Sequence, residues 1–204
     1  MARPRGRALE QQRAAKEEAR EQTRRHTSRR NLWIGIGVAV ALIGGLVAFV
    51  LTRRDPLEGA DITAYPDLGV AHLAAGDPAP EYNSNPPTSG PHALQPAACG
   101  IYREPVSDTQ QVHTLEHGAI IVQYDPTLPE EDVVRLEELA RSIGDQILVA
   151  PRSGMPAPVA VTSWATVMLL DEVDEDIINA FHLRYEDQSP EPLAVCPLQV
   201  DEAA

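Results

Sequence analysis

The sequence predicts an α/β or α+β domain. It consists of a small mixed sheet with two helices and an irregular Pro/Gly-rich N-terminal half, preceded by one transmembrane helix. Three observations lead there. Residues 32–51, LWIGIGVAVALIGGLVAFVL, form an apolar run without a charge, and about 20 such residues in a helix cross a bilayer core. Turn formers crowd residues 53–112, among them Asp55-Pro56, Gly76-Asp77-Pro78, Pro86-Pro87 and Ser89-Gly90-Pro91. From Ala119 onward, short β-branched runs alternate with amphipathic stretches.

The first 31 residues form a basic tail. Residues 1–30 carry ten of the 17 Lys/Arg but only four of the 30 acids, so the rest of the chain is strongly acidic. Arg29 and Arg30 precede the apolar run, and Arg53 and Arg54 follow it. The larger basic excess lies on the N-terminal side. By the positive-inside rule the tail is cytoplasmic, residues 32–52 span the cell membrane once, and the acidic body is extracytoplasmic. A cleaved signal peptide is the competing reading. It lacks a small-x-small cleavage site, and Thr52-Arg53-Arg54 follows the run instead. Ser28-Arg29-Arg30-Asn31-Leu32 resembles a twin-arginine signal, which concerns the route of export rather than removal. Within the span, Gly37, Ala41 and Gly45 repeat every four residues, a spacing that lets two helices approach as a homodimer within the lipid bilayer.

Residues 53–64 are expected to be a linker and 65–204 the exported globular domain, closing in a short acidic tail. The stretch up to residue 112 is read as irregular structure, neither sheet nor helix, because Pro and Gly punctuate it throughout. Residues 119–124, AIIVQY, are read as a buried strand ended by Asp125-Pro126. Pro129-Glu130-Glu131-Asp132 suits the first turn of a helix. Val133, Leu136, Leu139 (or Ala140) and Ile143 form its apolar face, and Gly144 stops it. Residues 147–150 are a second strand, parallel to the first through a right-handed crossover. Residues 159–170 are read as a third strand with Trp164 inside, and residues 174–185 as a second helix burying Ile177, Ile178, Phe181 and Tyr185.

The acidic body excludes nucleic acid as a partner, because phosphate binding needs a basic surface. Cys99 and Cys196 are the only cysteines. An even count in an oxidising compartment reads first as a disulfide, worth roughly 2–4 kcal/mol; two free thiols or a cysteine ligand are the alternatives.

Two strings stand out: residues 82–92, YNSNPPTSGPH, and residues 113–118, HTLEHG. With GVAHLAAG (69–76), which holds His72, and Cys99-Gly100-Ile101-Tyr102, they resemble a bacterial family, the domain-of-unknown-function family numbered 3105. The resemblance covers roughly residues 65–197. It implies an exported domain behind one N-terminal span and a late Pro-Glu then Cys, here Pro190, Glu191 and Cys196, and it implies no established activity.

Chemistry must therefore come from the residues. His113 and His117 are four apart and share one face of a helical turn. His92 follows a rigid Pro/Gly loop that can present it. A site of His92, His113 and His117, with His72 or Glu116 as a fourth group, suits copper(II) or zinc, for which imidazole is a common ligand. Sparse methionine argues against a Met-rich copper(I) carrier. Against this stands a non-metal interaction or scaffold module of the cell envelope, with an envelope protein as partner. There the histidines bond backbone and Glu116 caps the turn or pairs with an arginine such as Arg103. A third reading takes His113-Thr114-Leu115-Glu116-His117 as the H-x-x-E-H of a zinc peptidase, with Glu116 as general base and Glu191 as the distant ligand. That motif needs a long helix, and Gly118 follows at once. No G-x-S-x-G elbow supports Ser89 as a nucleophile, and no P-loop, dinucleotide fingerprint or CxxC is present.

Overall fold

The computed structural model describes Lys16 and residues 33–48, 55–74 and 76–199. The chain divides into two units, Met1–Arg54 and Asp55–Ala204. In the first, residues 33–48 are helical (α1). Among the described residues no helix is both long and apolar enough to cross a membrane. The ends of the apolar run lie outside the described residues, as do the basic tail apart from Lys16 and the acidic residues after 200. Gly37, Ala41 and Gly45 fall on α1, with nothing within 4 Å of a Cβ built on either glycine.

Among its described residues the second unit holds six strands and three helices. They follow in the order β1 (Asp61–Ala64), β2 (Gly100–Ile101), α2 (Asp108–Glu116), β3 (Ile120–Tyr124), α3 (Glu130–Ile143), β4 (Ile147–Pro151), β5 (Val159–Ser163), β6 (Thr166–Leu170) and α4 (Glu175–Tyr185). One mixed sheet has the order β1-β6-β5-β3-β4-β2. β3 and β4 are parallel neighbours joined through α3, as expected. β2 joins β4 in parallel, and the β3–β5, β5–β6 and β1–β6 pairs are antiparallel.

Strand alternation sorts the core into two layers. Ile120, Val122 and Tyr124 face one way, with Ile147, Val149, Val161 and Met168. They pack against Val133, Leu136 and Ala140 of α3 and Ile178 and Phe181 of α4. Ile121, Leu148 and Ala150 face the other way and pack against Val112 and Leu115 of α2, with Ala97 and Trp164. With both faces covered, the central strands read as unbroken apolar runs. α3 begins behind Pro129 with three acids in its first turn and ends at Gly144. The Asp174 side chain accepts from Ile177 N at 3.0 Å and caps α4.

Four expectations need correction. The domain has three helices, not two, because α2 lies in and just beyond the stretch read as irregular. Its apolar periodicity is weak because it buries polar residues: Gln111, His113, Thr114 and Glu116 lie inside beside Val112 and Leu115. Residues 159–170 form a two-strand hairpin rather than one strand, with Ser163 opposite Thr166. The turn at Trp164-Ala165 carries no glycine, and Ala165 takes φ +54. Remote partners hold it: Ala165 N donates to Thr88 O at 3.1 Å, Tyr65 N to Ala165 O at 2.8 Å, and Trp164 Nε1 to Asp67 Oδ2 at 3.1 Å. β1 lies within the stretch read as linker, fixed by pairing with β6 more than a hundred residues on. The compact unit begins at Asp55, and Leu57 is part of the core.

Cys99 and Cys196 form the disulfide, both sulfurs buried, with a Cα–Cα distance of 5.7 Å. The terminal segment runs beside the start of β2, where Cys99 N donates to Pro197 O at 2.6 Å and Gln199 N to Cys99 O at 3.0 Å.

Gly118 ends the HTLEHG string at φ +85, and a Cβ there would meet Asp187 Cα at 2.9 Å. Gly154 has φ +76 but open space around it. Gly154→Ala is expected to cost about 1–2 kcal/mol from the left-handed backbone alone, and Gly118→Ala clearly more. Urea unfolding of the two variants checks this; equal losses would mean that Asp187 yields freely.

Candidate metal centre

Each histidine is placed by a different piece of chain. His113 and Glu116 lie on the last turn of α2, and His117 is its C-cap. His92 and His72 come from two loop segments that pair through a parallel bridge. Gly90 N donates to Gly69 O at 3.1 Å, His92 N to Ala71 O at 2.9 Å, and Leu73 N to His92 O at 2.8 Å. The PPTSGPH string supplies the support. Ser84 Oγ and Thr88 Oγ1 bond at 3.0 Å, Ser89 Oγ accepts from Leu68 N at 3.1 Å, and Tyr82 OH donates to Pro91 O at 2.9 Å. Gly90 has φ +122, and a Cβ there would press on Leu68 Cβ at 3.2 Å. Thr114 Oγ1 ties α2 to the same region by donating to Ala97 O at 2.9 Å.

The four rings stack edge to face and tilted, with centroids 4.7 Å apart for His72–His92, 5.0 Å for His72–His113, 4.8 Å for His92–His113 and 4.7 Å for His113–His117. His92 is fully buried, His113 6% exposed and Glu116 2% exposed, whereas His72 is exposed. His92 Nδ1 lies 2.8 Å from Gly90 O and His113 Nδ1 2.7 Å from Ala93 O. A carbonyl only accepts, so both Nδ1 atoms carry the proton and donate it. In the neutral rings the lone pair is then on Nε2. Both Nε2 atoms turn toward one oxygen, Glu116 Oε2, at 3.0 Å for His92 and 3.8 Å for His113. His113 Nε2 also lies 3.1 Å from His117 Nε2, and His117 Nε2 3.7 Å from Glu191 Oε2.

His92 Nε2 and Glu116 Oε2 are buried without a hydrogen-bond partner, although they are close. A proton on Nε2 does not point at the oxygen. A cation between them meets both. Histidines bound to a metal through one nitrogen commonly donate the other N–H to a backbone carbonyl, as His92 and His113 do here. Zinc–nitrogen bonds of about 2.0–2.1 Å in a tetrahedron separate donor atoms by about 3.3 Å, near the 3.0 and 3.8 Å found from His92 and His113 to Glu116.

Ligand atoms of His72, His92, His113 and Glu116 all lie within 4.8 Å of one another, and so do those of Glu116, His117 and Glu191. Of the histidines read from the sequence, His72, His92 and His113 fall with Glu116 in one group able to hold a metal, whereas His117 falls in a second group with Glu116 and Glu191, so the His92–His113–His117 trio is not one group. Glu116 is buried and common to both. Arg103 pairs with Glu137 at 2.8 Å rather than with Glu116. His182 lies on α4, near Glu186 at 3.4 Å, and is outside both groups. Two participants carry no sequence signal: the carbonyls of Gly90 and Ala93, which set the tautomers. Glu191 is delivered by the C-terminal segment, where Glu191 N donates to Glu116 O and Asp187 N to Gly118 O, both at 3.1 Å.

A family model described as "Protein of unknown function (DUF3105)" matches residues 76–197. The chain belongs to the DUF3105 family. No curated protein and no solved structure matches it. The DUF3105 span contains His92, HTLEHG, Glu191 and both cysteines; His72 precedes it.

Burial pushes the His113 pKa down to about 4. The Ala93 carbonyl opposes this, and the neighbouring His92, His117 and His72 add to it. His113 is therefore neutral near pH 7, as a ligand must be. An unfolded histidine titrates near about 6.5, above the folded value, so His113 contributes stability above pH 6.5 and that contribution is lost as the pH falls toward 4. The metal-free protein is expected to show a falling urea midpoint across that window, with a shallower slope in His113→Gln. A slope unchanged by the substitution would assign the acid sensitivity elsewhere.

Proposed function

We propose that the protein is a single-pass envelope protein that holds one copper or zinc ion in its extracytoplasmic domain. The tail is cytoplasmic, residues 32–52 are the anchor in the bilayer, and the ion is bound by Nε2 of His92 and His113, Glu116 Oε2 and His72. The observation that carries the reading is the approach of the Nε2 atoms of His92 and His113, with both Nδ1 atoms already bonded, to a buried carboxylate oxygen without a hydrogen-bond donor. Imidazole and carboxylate donors suit copper(II) and zinc, and the two methionines of the domain, Met155 and Met168, lie outside the cluster. Metal binding would displace any proton held among these groups, so uptake is linked to pH. As a ligand, Glu116 is no longer a free general base, which weighs against the peptidase reading.

The envelope scaffold reading keeps one observation in its favour. His113 and His117 can share a proton between their Nε2 atoms, so part of the cluster can be satisfied without an ion.

The full chain, purified in detergent without chelator or nickel resin, is expected to carry copper or zinc near stoichiometry by mass spectrometry of metals. His92→Ala and His113→Ala should lose it. A folded protein that arrives empty and refuses both added ions would sink the metal reading and favour the scaffold.

A further inference from the structure

The cluster offers more donors than one ion can use. A tetrahedral ion takes four ligands. Six side chains converge here, in two groups that share Glu116: His72, His92 and His113 on one side, His117 and Glu191 on the other. Glu116 is the only buried acid of the cluster, and a carboxylate has two oxygens, each able to take its own ion. Nε2 of His113 and His117, one in each group, are 3.1 Å apart. Two ions bridged by one group commonly lie about 3.5–4 Å apart, so donors bound side by side to such a pair are spaced as these are.

Glu191 is not placed by accident of a loose tail. Its backbone N bonds the carbonyl of Glu116 itself. Five residues later Cys196 closes the disulfide, and Cys196 N donates to Gln146 Oε1 at 2.9 Å. Gln146 Nε2 in turn donates to His117 O at 3.1 Å. The segment is tied to the C-terminal half of the HTLEHG string, at Glu116 directly and at His117 through Gln146.

We propose that the protein binds a second divalent ion of the zinc class through Glu116, His117 and Glu191, bridged to the first by the Glu116 carboxylate. This rests on the single-ion reading above and extends it. The two positions differ in access. The Glu191 side chain is 55% exposed and His117 15% exposed. With only three protein ligands, the outer ion keeps a coordination position open to water or to an anionic ligand, the composition that distinguishes reactive zinc positions from closed ones.

The test is zinc stoichiometry of the full chain in detergent, by native mass spectrometry and by titration, on wild type and Glu191→Gln. Glu191 is exposed, so the variant is expected to keep its fold, which circular dichroism confirms. Wild type is expected to bind two equivalents and Glu191→Gln one. With copper(II) in place of zinc, the second equivalent should diminish rather than double the electron paramagnetic resonance signal of the first. One equivalent in both proteins would overturn the second position and leave the first standing. A single equivalent that Glu191→Gln abolishes would put Glu191 in a mononuclear site and also overturn it. No binding in either protein would overturn both readings together.

Discussion

The buried charge of Glu116 is the constraint from which the rest of the domain can be read. A carboxylate taken out of water costs several kcal/mol unless other charges or donors compensate. Among the described residues the groups nearest its oxygen are not arginines or lysines but the imidazoles of His92 and His113. Those imidazoles have their other nitrogens committed to the carbonyls of Gly90 and Ala93. The arrangement is rigid and electrostatically incomplete, and an ion would complete it. Binding energy released there would also be folding energy, so an ion held at the cluster would stabilise the domain.

The same constraint accounts for what the sequence discloses and what it conceals. β3, β4, α3 and α4 are legible because mostly apolar residues fill their buried positions, in short β-branched runs or at helical spacing. α2 is concealed because its buried positions are Gln111, His113, Thr114 and Glu116, which a hydrophobic pattern counts as exposed. β1 and the Trp164-Ala165 turn are concealed for another reason: their partners, β6 for one and Thr88 and Asp67 for the other, are remote in sequence. Of the site, the histidines were legible from residue type and from the stiff residues around His92. Their convergence was not, because His72, His92 and α2 meet only through loop pairing.

The PPTSGPH string shows that structural and functional readings of a motif need not compete. Its hydroxyls and its positive-φ glycine build a turn that a structural account would predict. That turn ends with His92 fully buried and its Nε2 3.0 Å from Glu116 Oε2. Its stiffness matters for the site, since a histidine presented by a floppy loop would lose more conformational freedom on binding an ion.

The C-terminal segment adds a dimension of time. Chain ends fray unless tied down, and the single backbone hydrogen bonds from Asp187 and Glu191 are a slight hold on their own. The Cys99–Cys196 bridge turns that hold into a tether. Without that bridge Glu191 would be kept near His117 only by these bonds, by those between Cys99 and residues 197 and 199, and by Cys196 N on Gln146. Completion of the outer part of the cluster would therefore depend on oxidation of the two thiols, and a reduced chain would differ from an oxidised one at this corner although their sequences are identical.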